Sequence, residues 1–198
     1  MSQDGVNNSR RLLLLGSTAA FGAVGAGFVA VPFLASWNPS EKAKAAGAPA
    51  KVDISKLEPG AMLTAEWRGK PVYIVRRTEE VLGMLEGLSD LLKDPANGNK
   101  DQQPVYADNV QRSREPELLV LLGVCTHLGC APKFFAEVKP EPFDDNWKGG
   151  FYCPCHGSRF DMSGRVFNGS PAGDNLLVPP YMLEGDNILV IGIDEETA

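Results

Sequence analysis

Four cysteines and two histidines are all the thiols and imidazoles of this 198-residue chain, and all six fall in two short segments, CTHLGC at 125–130 and CPCHGS at 153–158. The pattern runs Cys125-x-His127, then 25 residues, then Cys153-x-x-His156, with Cys130 and Cys155 as additions. Covalent haem attachment needs C-x-x-C-H. Here Cys153-Pro154-Cys155 precedes His156, one residue short, which excludes it. A nucleophilic thiol calls for one activated cysteine beside a base, and four cysteines split evenly between two segments do not fit. Two cysteines and two histidines make a tetrahedral zinc set, although zinc-finger spacing usually joins like with like. Each segment here offers one of each kind. A two-iron cluster uses that mixture, with thiolates on one iron and imidazoles on the other. Neutral imidazoles in place of thiolates reduce the negative charge of the cluster and raise its reduction potential. On spacing alone zinc and cluster both stay open, as do the three pairings that four cysteines allow.

The elements that must position these residues read as mostly β. MLTAEWRG and KPVYIVRR predict a hairpin around Arg68-Gly69-Lys70. Val81, Leu82, Leu85, Leu88, Leu91 and Leu92 recur at helical spacing behind Thr78, a suitable N-cap, and Asp94-Pro95 is a stop signal. Residues 95–116 are polar and loop-like. ELLVLLGV predicts a buried strand into the first segment and GFYC a strand into the second. YMLEGDNILVIGI predicts a closing hairpin at Gly185-Asp186. Residues 131–150, rich in Pro, Lys, Asp and Glu, are expected to be a solvated excursion. Gly129, Gly157 and Pro154 suit tight loops that bring backbone N–H groups close to a ligand.

Leu12 to Trp37 is a run of 26 residues without a charge. As a helix it spans about 39 Å, enough for a hydrocarbon core of about 30 Å, and exceeds the about 7–15 apolar residues of a cleavable signal. The expectation is a retained anchor at 12–37 after a cytoplasmic segment 1–11, then a flexible tether at 38–50 and a head domain at 51–198. Arg10 and Arg11 suit a cytoplasmic N-terminus, and Ser9-Arg10-Arg11-Leu12-Leu13-Leu14 resembles a twin-arginine export signal. The formal net charge of −6, without a basic run, argues against nucleic acid as a partner.

CTHLGC at 125–130 and CPCHGS at 153–158, with the anchor, the Ala-rich tether, VDISKLEPG and GKPVYIVRRT, resemble the Rieske iron–sulfur subunit of bacterial ubiquinol–cytochrome c reductases, the cytochrome bc complexes. The extra cysteines set the chain apart from soluble Rieske ferredoxins. The resemblance implies an antiparallel β head with a cluster-binding subdomain (loops 125–130 and 153–160) and one [2Fe-2S] cluster. Cys125 and Cys153 would ligate the inner iron, His127 and His156 the outer one, and Cys130 and Cys155 would form a disulfide. It also implies a dimeric multisubunit complex in the bacterial inner membrane with the head periplasmic, quinol bound in a cytochrome b subunit, and a c-type cytochrome as acceptor. His156 would hydrogen-bond quinol and take its proton. Leu128 and Gly129 would form a docking tip, and Ser158 and Phe160 would tune the cluster. Many relatives carry tyrosine where Phe160 stands, and a second proline where Pro171-Ala172-Gly173 has glycine. The small subunit of an arsenite oxidase is the other exported Rieske protein that this pattern resembles.

Overall fold

The computed structural model describes residues 7–194; residues 1–6 of the expected cytoplasmic segment lie outside the described residues. The chain divides into two units, Met1–Ala45 and Ala46–Ala198. The first is dominated by helix α1 (Asn8–Ala35). Asn7 caps it, its side-chain oxygen accepting the Arg10 N–H at 3.2 Å, so the paired arginines lie inside the helix rather than ahead of it. Pro32 lies inside the helix and does not end it. No α1 residue is buried, and the helix is long and apolar enough to cross a membrane. Within the segment expected to be a tether the structure places a short helix α2 (Glu41–Ala46), capped by the Ser40 hydroxyl. The sequence EKAKAA consists of strong helix formers.

Among the described residues the second unit holds three antiparallel three-stranded sheets. In the first, β1 (Ala50–Asp53) pairs with β9 (Ile188–Ile191), which pairs with β8 (Tyr181–Glu184). In the second, β3 (Lys70–Arg76) lies between β2 (Met62–Trp67) and β4 (Leu118–Leu122). Its hairpin turns on Arg68 and Gly69, both at positive φ, the conformation that two-residue turns require. All five residues of β4 are buried, as an unbroken LLVLL run implies.

Helix α3 (Glu79–Met84) begins where expected, the Thr78 hydroxyl accepting the Val81 N–H at 3.4 Å. Beyond Leu85 the chain tightens to a 3-10 helix over Glu86–Leu91 instead of continuing as α-helix. Gly83 and Gly87 weaken the α-helix; Leu85 and Leu88, three apart, turn inward, Leu91 is half exposed, and the extended C-cap residue Leu92 is buried instead.

The third sheet, β5 (Lys133–Phe135), β6 (Gly150–Tyr152) and β7 (Arg159–Phe160), carries the cysteine loops. One leads into β5 and the other joins β6 to β7. The 131–150 segment is only in part the solvated excursion expected: residues 137–140 are exposed, but its later half is anchored. Trp147 is 1% exposed and donates its indole N–H to the Phe135 carbonyl at 3.1 Å. Phe143 stacks on Tyr152 at 3.9 Å, and Phe167 and Leu92 complete a small apolar cluster. Trp147, with Phe135 and Phe143 partly buried against this cluster, anchors the charged stretch.

Candidate metal centre

The two cysteine loops are one hydrogen-bonded device used twice. In the first, the Cys125 N–H donates to the Cys130 carbonyl at 2.8 Å and the Gly129 N–H donates back to Cys125 at 2.9 Å. In the second, the Cys153 N–H donates to Ser158 at 2.8 Å and the Gly157 N–H to Cys153 at 2.9 Å. Gly129 and Gly157 occupy the same place in each loop at φ 84° and 75°, a conformation that other residues adopt only with strain. Each loop thus opens on a cysteine that is 2% exposed and carries a free thiol, Cys125 or Cys153. Cys130 and Cys155 are joined as a disulfide between the loops.

His127 and His156 come together at the outer end of this pair, with ring centroids 4.7 Å apart and planes at 87°. His127 is half-buried and His156 exposed; Leu128 beside them is 70% exposed, and Gly129 is exposed too. The loops therefore bring all the sequence-predicted cysteines and histidines into one place, thiols inside and imidazoles outside. The Cys153 sulfur lies within 4.8 Å of both disulfide sulfurs. Those two are spent in their mutual bond, which leaves Cys125 and Cys153 with free thiols.

Burial pushes the Cys125 thiol up, and the neighbouring Cys153 adds to this, while the His127 backbone N–H and the Ser158 hydroxyl oppose it. A buried thiol held back from ionising suits a positive metal centre, which makes the thiolate the favoured form. Two buried free thiols under two imidazoles fit a mixed sulfur and nitrogen donor set.

Aromatic side chains form the floor. Tyr73 stacks on Phe151 at 5.7 Å and donates its hydroxyl to the Pro132 carbonyl at 2.8 Å. A side chain on Gly123 would meet the Tyr73 ring at 2.4 Å, so glycine is what lets the chain pass from β4 into the first loop. Phe160 is fully buried and pairs with Phe151 across the sheet. Ser158 is fully buried, and its oxygen accepts the Ala172 N–H at 3.0 Å. Thr126 donates to the Asp174 carbonyl at 2.6 Å, so the 170–174 segment braces both loops.

Sequence reasoning missed the polar core behind β7. Asp161 accepts the N–H groups of Ser163 and Arg165 and the Arg165 Nε, each at 2.8 Å, with both side chains fully buried. Arg77 and Arg112 are buried beside it; carbonyls and the side chains of Ser113, Ser163 and Gln103 accept from their terminal nitrogens, while the Nε of each has no hydrogen-bond partner among the described residues. Burial pushes each of these two guanidiniums down to about 10, against the pull of Asp161. Both stay charged at neutral pH. The DMSGR turn at 161–165 was the available signal, an aspartate two residues ahead of Ser-Gly.

Comparison with known proteins bears directly on this arrangement. The family described as Rieske [2Fe-2S] domain matches residues 92–181, and that described as ubiquitinol-cytochrome C reductase Fe-S subunit TAT signal matches residues 1–40. The ubiquinol-cytochrome c reductase iron-sulfur subunit of Allochromatium vinosum is 51% identical over 198 residues, covering 100% of this chain and 95% of that protein. Its counterpart in Rhodospirillum rubrum is 38% identical over 191 residues, covering 96% of each. The cytochrome b-c1 complex subunit Rieske of Schizosaccharomyces pombe mitochondria is 39% identical, covering 89% of this chain and 68% of that one. The apolar helix and the export-signal match fit membrane anchoring, and the donor set fits the Rieske [2Fe-2S] cluster rather than structural zinc. Mixed thiol and imidazole loops, clamped by a disulfide and carried on an antiparallel β head, place this chain in the family of ubiquinol–cytochrome c reductase iron–sulfur subunits.

Proposed function

We propose that Cys125 and Cys153 hold the inner iron and His127 and His156 the outer one, in a subunit that takes an electron from quinol at cytochrome b and delivers it to a c-type cytochrome. The observation that carries this reading is the pair of outward-facing imidazoles, 4.7 Å apart over two buried free thiols. The cluster supplies one-electron exchange when bound. The chain's own residues supply the rest. His156, exposed at the tip, hydrogen-bonds the quinol hydroxyl and takes up its proton. Leu128 and Gly129 present an apolar tip to cytochrome b. The disulfide holds the loops closed against water.

Arg10 and Arg11 support a cytoplasmic N-terminus and a periplasmic head. The disulfide agrees, since such bonds persist in oxidising compartments. Residues 38–50 then act as the tether that lets the head reach both partners of a dimeric complex.

Electron paramagnetic resonance of the dithionite-reduced complex tests the ligand set. Two nitrogen couplings that change on labelling with ¹⁵N-histidine are expected. A signal without nitrogen coupling, or bound zinc and no signal, would refute it. Co-purification of a b-type haem with this chain separates quinol oxidation from service to another exported oxidoreductase such as arsenite oxidase.

Phe160 leads to a second expectation. A tyrosine there would add a hydroxyl in the floor of the site, able to donate to a cysteine sulfur. One such bond, worth about 1 kcal/mol, favours the reduced, more negative centre and corresponds to ~40 mV for one electron. Phe160→Tyr is therefore expected to raise the midpoint potential by tens of millivolts. Redox titration showing no rise would remove Phe160 from the tuning set.

A further inference from the structure

Residues 93–102 lie along the segment 170–178 and bind it repeatedly. Asn175 donates its amide to the Asp94 carbonyl at 3.0 Å, and Asn99 donates to the Asp174 carboxylate at 2.8 Å. The Val178 N–H donates to the Gln102 carbonyl at 2.9 Å. The strap begins at Lys93, whose backbone N–H donates to Val166 at 2.9 Å. Its ammonium donates to two carbonyls, Ser170 at 2.5 Å and Ala172 at 2.8 Å, one on either side of Pro171. Hydrogen bonds from a charged donor are about twice as strong as neutral ones. Ala172 is fully buried, and its own N–H is the group that donates to Ser158. Gly173 follows with open space around its Cα and no side chain to restrain the loop. The lysine therefore ties the two carbonyls that flank Pro171, while Ser170 and Asp174 are held at the ends of the loop by Arg159, Phe167, Thr126 and Asn99.

We propose that Lys93 is a positioning residue for the metal centre. Its ammonium fixes the Ser170 and Ala172 carbonyls, the Ala172 N–H then fixes the Ser158 oxygen, and the serine's proton is left to point at the centre. The Ser158 oxygen accepts that N–H, and the side chain is fully buried in the loop that begins at Cys153, which leaves its proton to be donated inward, toward the metal centre. Freeing the loop lets the hydroxyl turn, and the reduced centre loses a donor. This inference rests on the reading of Ser158 as a tuning residue.

The test is a double-mutant cycle on the purified, cluster-loaded complex, read by redox titration and by the paramagnetic resonance of the reduced centre. Lys93→Met is expected to lower the reduced-to-oxidised ratio at a fixed poise by about threefold to tenfold, the upper figure equivalent to ~59 mV for one electron. It should also broaden the resonance, because the hydroxyl then takes several orientations. Lys93→Arg, which keeps the charge and both donors, is expected to restore both readouts. In the S158A background the effect of Lys93→Met should shrink to less than half. A shift of undiminished size in that background would overturn the proposal, since the lysine would then act through its charge alone. An unmoved potential in Lys93→Met, with Ser158→Ala lowering it, would also overturn it and leave the serine reading standing. An unmoved potential in Ser158→Ala would remove the serine reading and this inference together. Should Lys93→Met fail to assemble a cluster, Lys93→Gln, with a neutral donor in place of the ammonium, is measured against the same outcomes.

Discussion

Asp161→Ala is expected to destabilise the head by about 3–5 kcal/mol, the usual result of removing one partner from a buried ion pair. Three effects act in the same direction. The carboxylate accepts two backbone N–H groups of the 161–165 turn, and those donors would be left buried and unsatisfied. Arg165, fully buried, would lose its counter-charge. Arg77 and Arg112 also draw on the field of Asp161, so two more buried guanidiniums would become more costly. Asp161→Asn keeps the shape and one acceptor oxygen and should fall between the two. The measurement is thermal unfolding of the detergent-solubilised chain by near-ultraviolet circular dichroism. A loss of roughly 10 °C is expected for the alanine variant, at about 2–4 °C per kcal/mol for a domain of this size. A melting temperature within about 2 °C of the parent would show that the three arginines are neutralised some other way.

The second large effect is expected from the disulfide. Cys130 and Cys155 are 25 residues apart in sequence. The chain-entropy account gives about 3.5 kcal/mol for closing a loop of that length. The staple directly joins two loops that are each closed by their own pair of backbone hydrogen bonds and otherwise share only the brace of the 170–174 segment. Without it, each cysteine–histidine pair can drift from the other, and the proposed set of four donors is lost. The double variant C130S/C155S, which leaves no unpaired thiol from the bridge, is expected to melt lower and to carry much less of the cluster's paramagnetic signal. Full signal with an unshifted melting temperature would mean that the loops are preorganised without the bond.

How far the sequence foretold this structure depends on where the signal resides. The metal centre was legible because thiols and imidazoles are few and fell into two segments. The strands at 62–67, 70–76 and 118–122 were legible because β-branched and apolar runs are interrupted by clear turn residues. The equivalence of the two loops was not. It resides in N–H to carbonyl bonds that no side chain reports, and the histidine stands third in one loop and fourth in the other. The core of Asp161, Arg165, Arg77 and Arg112 was hidden for a different reason: such residues are rarely buried, so composition assigns them to the surface. At 131–150 the many charged residues masked Phe143 and Trp147, whose burial depends on the distant Phe167. The helix after Thr78 was placed correctly at its start, where a cap is a local signal, and misjudged beyond Leu85, where two glycines shift the hydrogen bonding.

The pairing of β1 with β9 has a consequence for engineering. Ala50 lies opposite Ile191, so the chain enters and leaves the head through adjacent strands. Neighbouring strands are only about 5 Å apart, and domains whose ends meet in this way tolerate being spliced into a host loop or circularly permuted. The head can be handled as a cassette: a short linker from residue 194 back to residue 50 would close it. New ends could then be opened at the Gly185-Asp186 turn, which belongs to a different sheet from the one that carries the cysteine loops.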